Sequence, residues 1–142
     1  MGKVIAVCTS ERKGIQKTSV PEIKVIEDWG IEGDAHAGKW HRQVSLLSFD
    51  KIEDFRARGA EVEDGAFGEN LVVQGIDFAT LPIGTKFQCN DVVLELTQIG
   101  KECHSGCAIF KKMGECIMPK SGSFYEVLHG GVIHPGDELV IL

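Results

Sequence analysis

The 142-residue chain has no apolar run near the ~18 residues that a membrane span needs. It also lacks an excess of positive charge. Fifteen Lys and Arg stand against 21 Asp and Glu, a formal net charge of −6. General nucleic-acid binders are basic, because they neutralise phosphates, so neither a membrane nor a nucleic acid is an expected partner. The opening stretch "MGKVIAVCTSERKG" turns polar after a short strand-like run and does not read as a secretory signal. Met1-Gly2 followed by Ala6 misses the Ser or Thr of a myristoylation pattern. These absences point to the cytoplasm, where five cysteines, an odd number, are expected to stay mostly reduced. No internal repeat or low-complexity linker interrupts the chain. One domain spanning 1–142 is expected, long enough for a core without disulfide staples.

What is present suggests a sheet. Apolar residues make up 43% and charged residues 25%, both ordinary for a folded protein, whereas seventeen glycines imply many turns. "KVIAVCTS" and "EIKVIE" read as strands, separated by the polar turn "ERKGIQKTSVP". "DWGIEGDAHAGKWHR" has no period and reads as a long loop, a length that usually carries function. "QVSLLS" is a strand. "FDKIEDFRARG" places Phe49, Ile52 and Phe55 at helical spacing, with Asp50 and Glu53 at its start and Gly59 at its end. "EDGAFGEN" is a loop, "LVVQG" a short buried strand and "LPIGT" a turn. "KFQCN" and "VVLELTQIG" form a hairpin about Asn90-Asp91. "AIFKKMG" suits one or two helical turns. "SFYEVLHGG" sets Phe124, Val127 and Leu128 at helical spacing, and "HPGDELVIL" is a turn into a last strand. Six to eight short strands with one or two short helices predict a mostly-β barrel or sandwich, with α+β as the neighbouring class.

Three cysteines and a histidine crowd "GKECHSGCAIFKKMGEC", from Gly100 to Cys116. Cys103, His104, Cys107 and Cys116 are zinc-ligand types, but a second paired knuckle is missing and His104 directly follows Cys103. Thiol chemistry is the other reading. Cys103 follows a strand and a glycine between Lys101 and His104, cations that favour the reactive thiolate, while Glu102 opposes it. Cys8 and Cys89 sit in strand-like runs and read as small buried hydrophobes. Asp34, His36 and His41 could bind a metal or be polar loop residues. Glu69 and Asn70 could orient a ligand or cap a turn. Basic positions at Lys39, Arg42, Lys101, Lys111 and Lys112 leave room for a small anion despite the acidic total.

"GIEGDAHAG…RQVSLLS", "FGENL", "LPIGT", "ELTQIGKEC" and "GGVIHPGDEL" occur in an order that resembles the MOSC domain, named for the C-terminal domain of molybdenum cofactor sulfurase. The resemblance runs from Lys3 to Leu142, as a short stand-alone member. It implies a closed or partly open β-barrel like the small β domain of pyruvate kinase. It also implies handling of the molybdenum cofactor, a molybdopterin with a dithiolene and a phosphate. The hallmark cysteine matches Cys103, a persulfide carrier in sulfurases and a molybdenum ligand in reductases of N-hydroxylated compounds. Gly33, Asp34, His36, Gly38 and Arg42 match one cofactor-holding motif, and Gly68, Glu69 and Asn70 match a second. Glycine-rich turns suit phosphate, and Arg42 can add a bidentate contact. Without a pyridoxal-phosphate desulfurase domain, such a chain needs a separate cysteine desulfurase, or an electron-donor protein for reductase work. Cys107 and Cys116 exceed the single hallmark thiol. Cys107 can resolve a persulfide on Cys103, or the three thiols can hold zinc in a non-catalytic adaptor module.

Overall fold

The computed structural model describes residues 2–13, 15–100 and 122–142. Cys103, His104, Cys107 and Cys116, the basic positions Lys101, Lys111 and Lys112, and the helical turns expected in "AIFKKMG" lie outside the described residues. The described elements are β1 (Gly2–Thr9), β2 (Thr18–Val20), β3 (Ile23–Ile26), β4 (Gly30–Ile31), β5 (Val44–Ser48), α1 (Phe49–Ala57), β6 (Leu71–Gln74), β7 (Lys86–Cys89), β8 (Val92–Ile99), β9 (Ser123–His129), β10 (Gly131–Ile133) and β11 (Glu138–Ile141). A single 3₁₀ turn at Phe78–Thr80 precedes β7.

Seven strands follow the order β11-β7-β8-β9-β5-β6-β1, and β1 pairs back with β11 to close a barrel. β2 extends the sheet beyond β1, and β10, β3 and β4 form a small second sheet. The expected mostly-β barrel is therefore present. Among the described residues all pairings are antiparallel except β5 with β6, which is parallel. A parallel pair needs a crossover, and α1 supplies it. Ile52 and Phe55 bury that helix against the sheet, and the Gly59 N–H caps its end on the Arg56 carbonyl at 3.0 Å.

Side-chain alternation separates two cores. Val44 and Leu46 of β5, Leu71 and Val73 of β6, and Val4 and Val7 of β1 point into the barrel. Leu47, Val72, Ala6 and Cys8 point outward, beneath α1, with Phe55, Phe67 and Phe124. The parity change within β1 coincides with a register shift between Val4 and Ala6. The lumen is filled: Phe78, Phe87 and Tyr125 meet there with ring centroids 5.5–6.3 Å apart. A barrel this small holds side chains in place of ligand, so a binding site must lie outside it.

One expectation fails outright. "SFYEVLH" is not a helix but β9, hydrogen-bonded between β5 and β8. The spacing of Phe124, Val127 and Leu128 mixes three environments. Phe124 belongs to the outer core, Val127 to the lumen, and Leu128 is exposed. A strand buried on both faces near its start loses the polar alternation that marks strands. Two loops also contain short strands. The polar turn after β1 includes β2, and the long glycine-rich loop begins with β4, whose Ile31 is fully buried.

Candidate functional site

A cleft of about 240 Å³ opens on the outer face of the barrel, where β5 and β9 run side by side. Its floor is Ser45 and Phe124, outward residues of those strands. One wall is the β4–β5 loop with His36, Trp40 and Arg42; Gly68 and Lys13 complete the rim.

The loop is held by buried polar groups. Asp34 is only 7% exposed. Its Oδ1 accepts from the Ser10 N–H at 3.1 Å and from Lys17 Nζ at 2.7 Å, and its Oδ2 accepts from the His36 N–H at 3.1 Å. Gly33, at φ +80°, provides the left-handed step that brings Asp34 inward. Ala35 N–H donates to the Ser10 carbonyl, tying the loop to the end of β1. Buried Gln43 donates to the Gly38 carbonyl at 3.0 Å and accepts from the Val127 N–H at 2.9 Å, tying the other end to β9. Trp40 Nε1–H donates to the His36 carbonyl at 2.8 Å, and the two rings lie nearly parallel.

Arg42 is the unusual group. Its guanidinium carbon lies 4.7 Å from the Trp40 ring centroid and 5.6 Å from that of Phe124. Its Nε is buried and, among the described residues, has no hydrogen-bond partner. A buried donor without an acceptor costs about 1–3 kcal/mol. Lys13 sits 5.0 Å from the Trp40 centroid on the same rim. Two cations thus lie against the Trp40 ring beside the Gly68 turn.

The second motif works differently. Gly68, at φ +83°, borders the cleft, and a Cβ there would meet nothing within 4 Å. Glu69 and Asn70 face inward and are fully buried. Glu69 accepts from the N–H groups of Gly65 (2.9 Å) and Phe67 (3.0 Å), closing the turn that presents Gly68. Burial pushes its carboxyl up to about 7 against hydrogen bonds from the Gly65, Glu69 and Phe67 backbone N–H groups, and Asp64 adds to the rise. Asn70 accepts from the Ser45 N–H at 3.0 Å and donates to the Cys8 carbonyl at 3.1 Å, locking β5 to β1.

The structure thus gathers His36 and Arg42 with Gly68 around one cleft, and places Gly33, Asp34, Glu69 and Asn70 behind it. Gly38 lies beyond Trp40, where its carbonyl anchors Gln43. Lys39 pairs with Asp28 in the open, and His41 with Gln98. Among the described residues no three of His, Cys, Asp and Glu converge as metal ligands. Sequence reading missed Lys13, Lys17, Trp40, Ser45 and Phe124. Only the fold brings these together.

A family model described as the MOSC domain matches residues 33–140. The chain belongs to the MOSC domain family. That family is associated with the molybdenum cofactor. Solved structures of similar fold include the YuaD protein of Bacillus subtilis, with 16% identity, TM-score 0.74, and coverage of 98% of this chain and 94% of that one. YiiM of Geobacillus stearothermophilus has 21% identity and TM-score 0.75, covering 100% and 75%. YiiM of Escherichia coli has 19% identity and TM-score 0.70, covering 100% and 70%. No curated protein sequence matches the chain significantly. Among the described residues of this MOSC chain, no helix is long and apolar enough to cross a membrane.

Proposed function

We propose that this MOSC chain binds the molybdenum cofactor, or a sulfur-bearing precursor of it, with the phosphate end in the Arg42 cleft and Cys103 supplying a thiolate. The observation that carries the reading is the buried, unpartnered Nε of Arg42 between Trp40 and Phe124. A phosphate oxygen is the acceptor that this donor lacks, and a guanidinium offers a second parallel N–H. The cleft's 240 Å³ is below the ~300–1,000 Å³ of sites that enclose a whole drug-sized ligand. It suits the anionic end of a pterin better than all of it.

Connectivity supports the role given to Cys103. β8 ends at Ile99 opposite Ser123, and the Gly100 N–H donates to the Gly122 carbonyl. Phe124, the cleft floor, follows Ser123 directly. Cys103 follows Gly100 by three residues in the sequence. In this reading Arg42 and Lys13 bind and orient the anion, and Trp40 and Phe124 exclude water from the guanidinium. Cys103 either carries sulfur as a persulfide or ligates the metal as a soft thiolate. The bound cofactor would supply molybdenum and dithiolene sulfur. A cysteine desulfurase or an electron-donor protein is the partner this scheme needs.

Protein from a cofactor-replete host, analysed for metals and pterin, tests the reading. Molybdenum and pterin in equal amounts are expected, with both lost in Arg42→Ala. Stoichiometric zinc without pterin would overturn it in favour of an adaptor module built on Cys103, Cys107 and Cys116.

A further inference from the structure

A cation drawn into a protein is usually paired with a carboxylate, which both holds it and neutralises it. Arg42 is held differently. Among the described residues it makes no ion pair, and its Nε donates to nothing. What lies against it is ring: Trp40 at 4.7 Å and Phe124, on the cleft floor, at 5.6 Å. Trp40 is the nearer, and indole is the aromatic that attracts a cation best. The indole is itself pinned, because its Nε1–H donates to the His36 carbonyl at 2.8 Å. Lys13 Nζ lies 5.0 Å from the same centroid, also without a carboxylate among the described residues. One ring therefore carries two like charges. The backbone around them is already engaged. The N–H groups of His36, Trp40, Ser45 and Gly68, all at the cleft, donate to Asp34 Oδ2, the Gly38 carbonyl, Asn70 Oδ1 and the Gly65 carbonyl.

We propose that Trp40 is a positioning residue that holds the Arg42 guanidinium by its π face, in place of a carboxylate. A ring attracts a cation through its quadrupole and leaves the net charge where it was. A carboxylate in the same place would cancel that charge and occupy the N–H fork, and an incoming oxyanion would have to displace it. Held by Trp40, the guanidinium is oriented in advance and still charged. With the four N–H groups above already engaged, an anion in this cleft is recognised through side chains and not through a backbone nest. This last step rests on the cleft being the anion site proposed above; the hold of Trp40 on Arg42 does not.

NMR of the arginine side chains, with Arg42→Lys to assign the signal, reads the hold without ligand. The indole ring current should shift the Arg42 side-chain protons upfield in the native protein, less in Trp40→Phe and least in Trp40→Leu. Trp40→Gln separates the ring face from the hydrogen bond, since its amide can still donate to the His36 carbonyl. It should resemble Trp40→Leu. An Arg42 signal that stays at its native position in folded Trp40→Leu or Trp40→Gln would overturn the proposal. If neither of those variants folds, Trp40→Phe decides: the shift must shrink, and an unchanged one refutes the role of Trp40. Inorganic phosphate is then titrated by calorimetry. Binding about three- to tenfold weaker than native is expected without the ring, with part of the loss restored in Trp40→Phe. Native affinity in Trp40→Leu or Trp40→Gln would overturn the proposal as well. A native protein with the upfield Arg42 signal but no response to phosphate would count against the anion cleft, not against Trp40.

Discussion

Glu69→Gln tests whether the turn beneath Gly68 is built around a neutral acid. Glu69 is 0% exposed, and its carboxyl is raised from 4.5 to about 7 by loss of solvent. In the unfolded chain it titrates near its ordinary value, so between pH 4.5 and 7 the folded state binds the extra proton. Stability linked to this group is therefore fully present below about pH 4.5 and falls as pH rises through 7. At 1.36 kcal/mol per unit the loss is roughly 3 kcal/mol. With a urea slope of ~1–3 kcal/mol/M, the midpoint should drop by about 1–3 M between pH 5 and pH 8. Glutamine cannot ionise, so Glu69→Gln should flatten that slope. It should also lower stability at pH 5 by about 1 kcal/mol, because one of the Gly65 and Phe67 N–H groups then faces an amide NH₂. The difference between the two proteins is the quantity that isolates Glu69. Urea melts followed by circular dichroism at half-unit steps give it. A native protein whose stability is flat or rises from pH 5 to 8, or a variant that declines as steeply, would refute the reasoning.

Arg42→Lys keeps the charge but not the fork, and should weaken phosphate and pterin binding partly by calorimetry; Arg42→Ala should weaken it more. Cys103→Ser should lower cofactor binding, sulfur transfer or reductase activity at least tenfold with an unchanged circular dichroism spectrum. Cys8→Ser should act on stability instead, by about 1–3 kcal/mol in urea, since Cys8 is fully buried and burial pushes its thiol up to about 12. Mass spectrometry after mild oxidation should find a Cys103–Cys107 bridge in preference to one with Cys89, and Cys107→Ser should lengthen the life of a persulfide on Cys103. Decay at the native rate would leave Cys107 without that role.

Turn chemistry and period made much of the barrel legible. The hairpin of β7 and β8 was expected about Asn90-Asp91, and Asn90 takes the left-handed conformation there, with Cys89 opposite Val92. α1 announced itself through Phe49, Ile52 and Phe55. β9 did not, because its two buried faces erased the alternation. In the site, Arg42 and the His36 loop were legible from their motif, but what surrounds Arg42 was not. Trp40 is a near neighbour in sequence, whereas Phe124 reaches the guanidinium only because β9 pairs with β5. Lys17 was hidden for a different reason: a lysine in a polar turn reads as solvated, and nothing local says that it is buried on Asp34.

The two halves of the cleft are also joined behind it. Glu69 accepts from the Gly65 N–H, and the Gly65 carbonyl accepts from the Lys17 N–H at 2.9 Å. Lys17 Nζ in turn lies 2.8 Å from His36 Nδ1. Gly65 is required at this joint, because it sits at φ +93° and a Cβ there would lie 2.3 Å from the Lys17 carbonyl oxygen. The glycine turn and the histidine wall are therefore set by one buried strand of contacts, not by two independent loops. This explains why the second motif supplies a buried acid and an amide where a ligand-binding loop would be expected to supply surface groups. Glu69 and Asn70 fix the position of backbone, whereas Arg42, Lys13 and His36 line the cleft itself. Ionising Glu69 and removing Lys17 act on opposite ends of that chain. The first should change the stability of the fold across neutral pH, while the second should leave the buried Asp34 carboxylate, which holds the His36 loop, without its counter-charge.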